Sequence, residues 1–285
     1  MNKINKELPF CNGIAHQKYL TAEKGIKTAY ETGCSHWYID GSLIGEMVSD
    51  WNETRISILK ELILSTRIQP LFHGNFKAPL ASDVEDFRAA AVAYTKKEID
   101  IASQLNAPLI IHGGCIVEPK TVIQAKKIAL ENYLKSIIEL ADYAKTKNVD
   151  IYLENLSNYK NYRPFHYIFT CAEEYDFVLR NLNNYTNVYL FLDIGHAHIG
   201  EGKPADVIIK YHKRLKGISF SNNNGIQDQH LGISDGSIDY AELILAIHQT
   251  QWSGLVAFET RNQSTEQGLQ ELINLHQAIQ DVALA

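Results

Sequence analysis

The sequence is short of cysteine, of excess basic residues and of long apolar runs. Its four cysteines lie far apart and form no C-x-x-C pair: Cys11, Cys34, Cys115 and Cys171. This spacing excludes a zinc ribbon and is typical of reduced thiols in a cytosolic protein. The 27 Lys and Arg residues are outnumbered by 33 Asp and Glu residues, which gives a net charge of −6. We therefore expect no broad basic surface for nucleic acid or anionic membranes, although an acidic protein can carry a local basic groove.

The chain has no apolar run of about eighteen residues, so no membrane segment is expected. The N-terminal segment also lacks the apolar stretch of a signal peptide, and we expect a cytoplasmic protein. Hydrophobic residues make up 45% and charged residues 21% of the chain, which excludes a disordered or fibrous protein. No linker or change of composition divides the 285 residues. Because α/β barrels of roughly 250 residues fold as one unit, we predict a single domain over residues 1–285.

Short apolar runs that end in a polar residue alternate with helix-like segments. Six of these runs end in an acidic residue or a histidine: Asp40, His73, His112, Glu154, Asp193 and Glu259. A polar-interrupted run at 218–221 stands where a seventh strand is due, and a first strand is expected near 8–13. Helices are predicted over 83–105, 121–147, 239–249 and 264–282. A repeat of roughly 30 to 40 residues with buried strands predicts an α/β fold, a single (β/α)8 TIM barrel.

The polar strand ends favour a closed barrel over an open, doubly wound sheet. In a barrel the carboxyl ends of all strands surround one opening, where barrel enzymes place their chemistry. In an open sheet the residues at opposite edges would stay too far apart to converge. Buried strand ends seldom carry such groups, because their burial without partners is costly. We therefore predict one site at the C-terminal face of the strands, surrounded by His73, His112, Glu154, Asp193 and Glu259.

The residue types at these strand ends indicate a metal site. Imidazole and carboxylate groups on rigid elements are the ligands that Zn²⁺, Mn²⁺ and similar ions require. His196 follows Asp193 by three residues, so both side chains can reach the rim. Asp228 and His230 form an Asp-x-His pair on a loop, which projects both side chains to one side. We expect a divalent cation of zinc or manganese type as the cofactor.

Six segments together resemble those of the xylose isomerase-like barrels. That family includes sugar isomerases and epimerases as well as apurinic-site nucleases of the endonuclease IV type. The segments that carry the resemblance are LFHGNF, IIHGG, IYLEN, LDIGHAH, DQHLGISDGSIDY and AFET. The resemblance runs from about the second strand to the C terminus, which is most of the chain.

The resemblance implies up to three metal positions. The first would be held by His73, His112 and Glu154, the central one by Glu154, Asp193, Glu259 and a histidine of the seventh strand, and the third by His196, Asp228 and His230. This sequence departs from the pattern on the seventh strand, where Ser219 replaces the usual histidine and Asn222 replaces a common aspartate. Serine is a poor ligand for these ions, so the central position keeps three carboxylates unless water, Asn222 or substrate completes it.

Four further residues are weaker candidates for contacts with substrate. An aromatic loop over 158–167 would lie above the barrel mouth, where a sugar ring could stack on it and Arg163 could hold a phosphate or carboxylate. Packing of these aromatic side chains on neighbouring loops explains the loop equally well. Arg261 is a candidate for an anion contact, and His198 and Asn222 are candidates for other polar contacts.

Three hypotheses for the function follow. The first is a divalent-metal-dependent isomerase or epimerase of a sugar or sugar phosphate, in which Glu154 and Glu259 remove and return a proton through an enediolate. The second is a multi-metal phosphodiesterase like endonuclease IV, which the additional His and Asp ligands favour and the acidic charge disfavours. The third is a barrel that only binds a metal or a sugar, which Ser219 keeps open. Under the first hypothesis we expect a small-molecule sugar or sugar phosphate as the partner and no membrane partner. A nucleic acid partner is disfavoured but not excluded, and the chain could form a homo-oligomer.

Overall fold

The computed structural model describes residues 7–116, 120–200 and 203–284. Eight parallel strands close into a barrel in chain order, so that β1 pairs with both β2 and β8. This architecture confirms the predicted TIM barrel. The strands are β1 (Cys11–His16), β2 (His36–Asp40), β3 (Gln69–His73), β4 (Leu109–His112), β5 (Ile151–Glu154), β6 (Val188–Asp193), β7 (Leu215–Phe220) and β8 (Gly254–Phe258).

Helices cover the outside of the barrel. The four helices predicted from the sequence begin and end within two residues of the expected positions, and none of the described helices is long and apolar enough to cross a membrane. The α-helices are α1 (Ala22–Glu31), α2 (Glu53–Thr66), α3 (Glu85–Leu105), α4 (Val122–Thr146), α5 (Ala172–Asn181), α6 (Ile194–Gly200), α7 (Pro204–Tyr211), α8 (Tyr240–Thr250) and α9 (Thr265–Leu284).

The first strand lies three residues later than the sequence predicts. The apolar residues Leu8 and Phe10 are buried in the core, but they belong to a turn that precedes β1. Strand pairing with β8 begins at Cys11. The apolar signal therefore came from the segment before the strand, where Phe10 packs against His248 and His276, and the strand itself continues to His16.

Side chains that alternate in direction along the strands fill two layers of the core, one between the strands and the helices and one inside the barrel. Trp37 and Ile39 on β2 belong to the large cluster between the strands and the helices, whereas Tyr38 belongs to the cluster inside the barrel. This follows from the period of two along a strand, which sends successive side chains to opposite faces. The interior cluster takes side chains from six strands: Ala15, Tyr38, Leu71, Ile110, Phe191 and Ala257.

A glycine on β7, Gly217, makes room for the aromatic ring of Phe191 on the neighbouring strand β6. A Cβ atom built on Gly217 would lie 2.3 Å from Cε2 of Phe191. The register between β6 and β7 also shifts at this position, between Leu190 and Phe191. As a result of this register, Asp193 at the end of β6 lies opposite Ser219.

Candidate active site and metal centre

A cavity of about 400 Å³ opens at the carboxyl ends of the strands. Asp193, at the end of β6, is fully buried and does not line it. The strand registers explain the convergence, since His112 lies opposite Glu154 and Asp40 lies opposite His73. The other predicted ligands line the cavity wall: His73, His112, Glu154, His196, Asp228, His230 and Glu259.

His73, His112 and Glu154 form the first cluster. The two Nε2 atoms of the histidines lie 3.4 Å apart. Glu154 Oε2 lies 3.9 Å from the Nε2 atom of His73 and 3.6 Å from that of His112. The other ring nitrogen of His73, Nδ1, lies 3.8 Å from Asp40 Oδ1. Three ligand atoms of two chemical types therefore face one another across a short gap, which is the arrangement that a cation needs.

Asp193, His196 and Glu154 form the second cluster, which Asn155 holds in place. The Asp193 backbone N–H donates to Asn155 Oδ1 at 2.8 Å, and Asn155 Nδ2 donates to the Asp193 carbonyl at 2.9 Å. The His196 N–H donates to Asp193 Oδ1 at 2.6 Å, and His196 Nδ1 lies 2.8 Å from the Asn155 carbonyl. Asn155 is not among the site residues predicted from the sequence, although it directly follows Glu154 in the IYLEN segment.

Asp228 joins His196 to His230. Asp228 Oδ2 lies 2.7 Å from His230 Nε2 and 3.3 Å from His196 Nε2. His230 has the left-handed backbone conformation, with a φ of 50°, and its Nδ1 lies 3.0 Å from the Glu259 carbonyl. The Arg261 N–H donates to the His230 carbonyl at 2.8 Å. The loop after β7 is thus tied to the end of β8.

Two hydroxyl groups contact the two candidate catalytic glutamates. The Tyr38 hydroxyl donates to Glu154 Oε2 at 3.4 Å, and the Ser219 hydroxyl donates to Glu259 Oε2 at 3.4 Å. Ser219 therefore contacts Glu259 from the position at which the family pattern has a histidine. The sequence analysis did not include Tyr38, because it lies inside the strand and not at its end.

Burial and like charges raise the pKa values of both glutamates in the absence of a cation. Burial, together with the charges of Glu259 and Asp193, raises the pKa of Glu154 well above its ordinary value. Burial raises the pKa of Glu259 to about 7, although the charge of His230 opposes this shift. Burial, with the neighbouring charges of His73 and His196, lowers the pKa of His112 well below its ordinary value. His112 is therefore neutral at physiological pH, the form that binds a metal.

Around Asp228 the pKa shifts favour the charged forms of the carboxylate and of the two histidines that contact it. Burial alone would raise its pKa, but the charges and hydrogen bonds of His196 and His230 lower it well below its ordinary value. Burial opposes the charged form of His196, and the charges of Asp193 and Asp228 nevertheless raise the pKa of this histidine well above its ordinary value. Burial likewise opposes the charged form of His230, whose pKa the hydrogen bond to Asp228 raises to about 9. Without a cation these groups form a buried charged network.

Two buried carboxylate oxygens indicate that the site fits a divalent cation. Asp193 Oδ2 and Asp228 Oδ1 have no hydrogen-bond partner among the residues that the structure describes. Burial of such an oxygen without a partner is costly, and a cation would remove that cost. Two sets of residues offer three ligand atoms within 4.8 Å of one another. They are His73, His112 and Glu154, and Glu154, Asp193 and His196.

Of the four candidate substrate contacts, Arg261 lines the central cavity and Arg163 does not. The guanidinium of Arg163 stacks over the Tyr159 ring at 3.5 Å from its centroid, and Arg163 lines a separate cavity of about 260 Å³. Tyr159 lines both cavities. The aromatic loop thus supplies Tyr159 to the wall of the central cavity, while its arginine packs behind that ring.

His198 and Asn222 also lie outside the wall of the central cavity. His198 Nε2 lies 2.9 Å from Ser237 Oγ. Asn222 is buried, donates to the Ile233 carbonyl at 2.6 Å and accepts the Ile238 N–H at 3.0 Å. Both side chains hold the loop that follows β7, and their roles in substrate binding stay predictions.

The closed barrel and its rim of imidazole and carboxylate groups define a TIM-barrel protein with a candidate metal centre at the C-terminal face. The family model described as the xylose isomerase-like TIM barrel matches residues 26–279. The chain belongs to this family, which confirms the resemblance drawn from the six sequence segments.

Individual relatives and solved structures are more distant. The uncharacterised protein MJ1311 of Methanocaldococcus jannaschii is 25% identical over 244 residues, which cover 84% of this chain and 80% of that protein. The crystal structure of a D-tagatose 3-epimerase-like protein has a TM-score of 0.77 at 20% identity and covers 96% of this chain and 100% of the other. The IolI protein with a bound zinc atom has a TM-score of 0.72 at 16% identity and covers 94% and 96%. At these identities the two structures share the fold.

Proposed function

We propose that this protein is a divalent-metal-dependent isomerase or epimerase that acts on a sugar or a sugar phosphate. The observation that carries the proposal is the pair of buried glutamates, Glu154 and Glu259, which line one cavity and both have raised pKa values. Two carboxyl groups that can each hold or release a proton are what a two-sided proton transfer requires. The printed description of one similar structure, a D-tagatose 3-epimerase-like protein, supports the choice of substrate class.

In this proposal the cation is held by residues of the first two clusters, whose donor atoms fit it. A divalent cation bound there supplies a Lewis acid for the carbonyl and hydroxyl oxygens of a sugar and makes the adjacent C–H more acidic. The Asn155 side-chain amide holds the backbone N–H and carbonyl of Asp193, and the Asn155 backbone carbonyl lies 2.8 Å from His196 Nδ1. Asn155 thereby orients the metal-ligating atoms of Asp193 and His196 before the cation binds.

The two glutamates move the proton. With its pKa near 7, Glu259 has both protonation states available at neutral pH and accepts the proton from the sugar carbon. Glu154, whose pKa is also raised, holds a proton in this proposal and delivers it to the enediolate to form the product, so Glu154 is not a ligand of the cation in this step. Ser219 and Tyr38 donate hydrogen bonds to these two carboxyl groups and orient them.

The test combines metal content with proton exchange. Elemental analysis of the purified protein should find zinc, manganese or a similar ion. Incubation with a panel of ketoses and ketose phosphates in D₂O should show, by NMR, deuterium at a carbon next to the carbonyl for at least one sugar. Glu259→Gln should abolish the exchange and Glu154→Gln should abolish conversion to the product sugar, whereas Glu61→Gln, at an exposed position on α2, should change neither. Full exchange by Glu259→Gln, or full conversion by Glu154→Gln, would contradict the two-carboxylate scheme.

The surplus of ligands favours a second candidate, a metal-assisted phosphodiesterase. Proton transfer needs few ligands, yet His73, His112, His196, Asp228 and His230 all line the cavity as well. Hydrolases with two or three ions use such sets to activate water and stabilise the leaving oxygen. Two or more ions per chain, together with cleavage of DNA at abasic sites, would support this candidate over the isomerase.

A further inference from the structure

A smaller cavity of about 230 Å³ shares part of its wall with the central one. Tyr38, Asp40 and Glu259 line both cavities, so the smaller cavity extends directly from the candidate active site. Two cations also line the smaller cavity: Lys18, which is not part of the wall of the central cavity, and Arg261, which lines both. We call the part of the wall that carries these two cations the basic wall.

The fold places the two cations side by side. Lys18 follows the last residue of β1 by two positions, and Arg261 follows the last residue of β8 by three. β1 and β8 are hydrogen-bonded neighbours in the barrel, so the segments after them leave the rim together. The hydrogen bond from the Arg261 N–H to the His230 carbonyl fixes the backbone at this point.

Neither cation of the basic wall is used in an ion pair. No described carboxylate oxygen lies within 4.0 Å of the Lys18 ammonium or of the Arg261 guanidinium, although Lys18 is within electrostatic range of Glu266. Many cations on the outside of the barrel do have such partners, including Arg55 with Glu23 and Arg88 with Glu85. In an acidic protein, two unpaired cations that face a cavity are available to a ligand.

The acidic groups of the same cavity have other partners. Asp40 Oδ1 accepts hydrogen bonds from the Ser42 N–H at 2.9 Å and from the Ser42 hydroxyl at 2.6 Å. Glu259 accepts from the Ser219 hydroxyl. We call the part of the wall that carries Asp40 and Glu259, beside His230 and the candidate metal centre, the acidic end of the cavity.

We infer that the basic wall binds an anionic group of the substrate, so that the sugar is a phosphate ester or a sugar acid and not a neutral sugar. The inference rests on the proposed function, which assigns the acidic end to the reacting carbonyl and hydroxyl groups. An arginine can bind phosphate or carboxylate through two parallel hydrogen bonds, and an ammonium adds a point charge. Gln17 and Thr260 line the same cavity and offer further polar atoms.

Three open-chain ligands that the proposed reaction cannot convert test the inference without turnover. They are D-glucitol, D-glucitol 6-phosphate and D-gluconate, titrated by calorimetry into the full chain supplemented with Mn²⁺. We expect at least one of the two anions to bind about tenfold or more tightly than D-glucitol, which corresponds to about 1.4 kcal/mol. A preference for the phosphate identifies a sugar phosphate, and a preference for the carboxylate identifies a sugar acid.

Variants of Lys18 and Arg261 test whether these two residues cause the preference for the anion. Lys18→Ala and Arg261→Gln should each reduce the preference for the anion about tenfold, and Arg261→Lys should keep part of it because the positive charge remains. Lys60→Ala removes an exposed lysine on α2 and should leave the preference unchanged. Melting curves of all variants show that the barrel is intact.

Two results would overturn the inference. One is equal or undetectable binding of both anions relative to D-glucitol, and the other is an unchanged anion preference in the Lys18→Ala/Arg261→Gln double variant. These results are separate from those that refute the proposed function. If Glu154→Gln and Glu259→Gln keep full exchange activity while the anion preference depends on the two cations, the basic wall stands and the two-carboxylate scheme fails.

Discussion

Glu98 is a buried carboxyl group without a cationic partner among the residues that the structure describes, and we predict that it makes the stability of the barrel depend on pH. Its side chain reaches from α3 to the segments after β2 and β3, and it is 1% exposed. Glu98 Oε1 accepts the Asn75 N–H at 2.7 Å. A Cβ atom built on Gly74 would lie 3.1 Å from Oε2, so the carboxyl group is packed closely against the backbone. Burial raises the pKa of Glu98 to about 8, although the hydrogen bond from Asn75 opposes this shift.

The sign and size of the effect follow from proton linkage. With a pKa of about 8 in the folded protein, Glu98 keeps its proton up to about pH 8, whereas in the unfolded chain it loses the proton near its ordinary pKa of 4.5. Between these values the unfolded state binds fewer protons, so stability is lost as the pH rises. At about 1.4 kcal/mol per pH unit, the loss between about pH 5.5 and 8 is about 3 kcal/mol. This is a large part of the 5–15 kcal/mol that is typical of a folded domain.

Glu98→Gln removes the titration and keeps a side-chain oxygen for the Asn75 N–H. The free energy of unfolding should be measured by urea denaturation at about pH 5.5, 7 and 8.5 for the wild type, Glu98→Gln and Glu61→Gln. The difference between Glu98→Gln and the wild type should shift by about 3 kcal/mol in favour of the variant over this range. Glu61 is exposed on α2, so the difference for Glu61→Gln should stay flat. If the Glu98→Gln difference is also flat, Glu98 is ionised in the folded protein and the reasoning is wrong.

Three further predictions follow from the core and the site. Phe191→Ala, inside the barrel, should cost about 3–5 kcal/mol in chemical denaturation, whereas Phe177→Ala, at a position that is 36% exposed, should cost less than half as much. Asn155→Ala should weaken metal binding about 10- to 100-fold in competition with a chelator, because Asn155 fixes Asp193, whereas Asn183→Ala at an exposed position should not. Added Mn²⁺ or Zn²⁺ at about 100 times its dissociation constant should stabilise the protein by about 2.7 kcal/mol, and an unchanged melting temperature would contradict the metal centre.

The sequence predicted the barrel because its signals are local. A parallel strand that is buried on both faces appears in the sequence as a short apolar run, and the polar residue at its end lies at the rim of the barrel. The helices alternate with these runs at regular spacing, and their ends were predicted within two residues. The first strand was misplaced because burial alone does not distinguish a strand from a turn. Leu8 and Phe10 are as apolar as strand residues, and they are buried in the cluster between the strands and the helices from a turn that precedes β1.

The partners of the site residues could not be predicted in the same way, because they depend on register and on side-chain direction. The sequence shows that Ser219 stands where the family has a histidine, but not that its hydroxyl donates to Glu259. Its place opposite Asp193 depends on the shift of register beside Gly217. Arg163 is a similar case, because only the loop conformation shows that its guanidinium stacks on Tyr159.

The charges of the site connect metal binding to pH. Glu154, Asp193 and Glu259 lie close together, and their negative charges repel one another when no cation is bound. Bound protons reduce this repulsion, and the pKa values of Glu154, Glu259 and His196 are raised accordingly. Ligands must be deprotonated before they bind a metal, so binding of a divalent cation releases these protons. The affinity for the cation must therefore fall as the pH is lowered. A site of this composition thus exchanges bound protons for a divalent cation, and the pH dependence of the cation affinity measures this exchange.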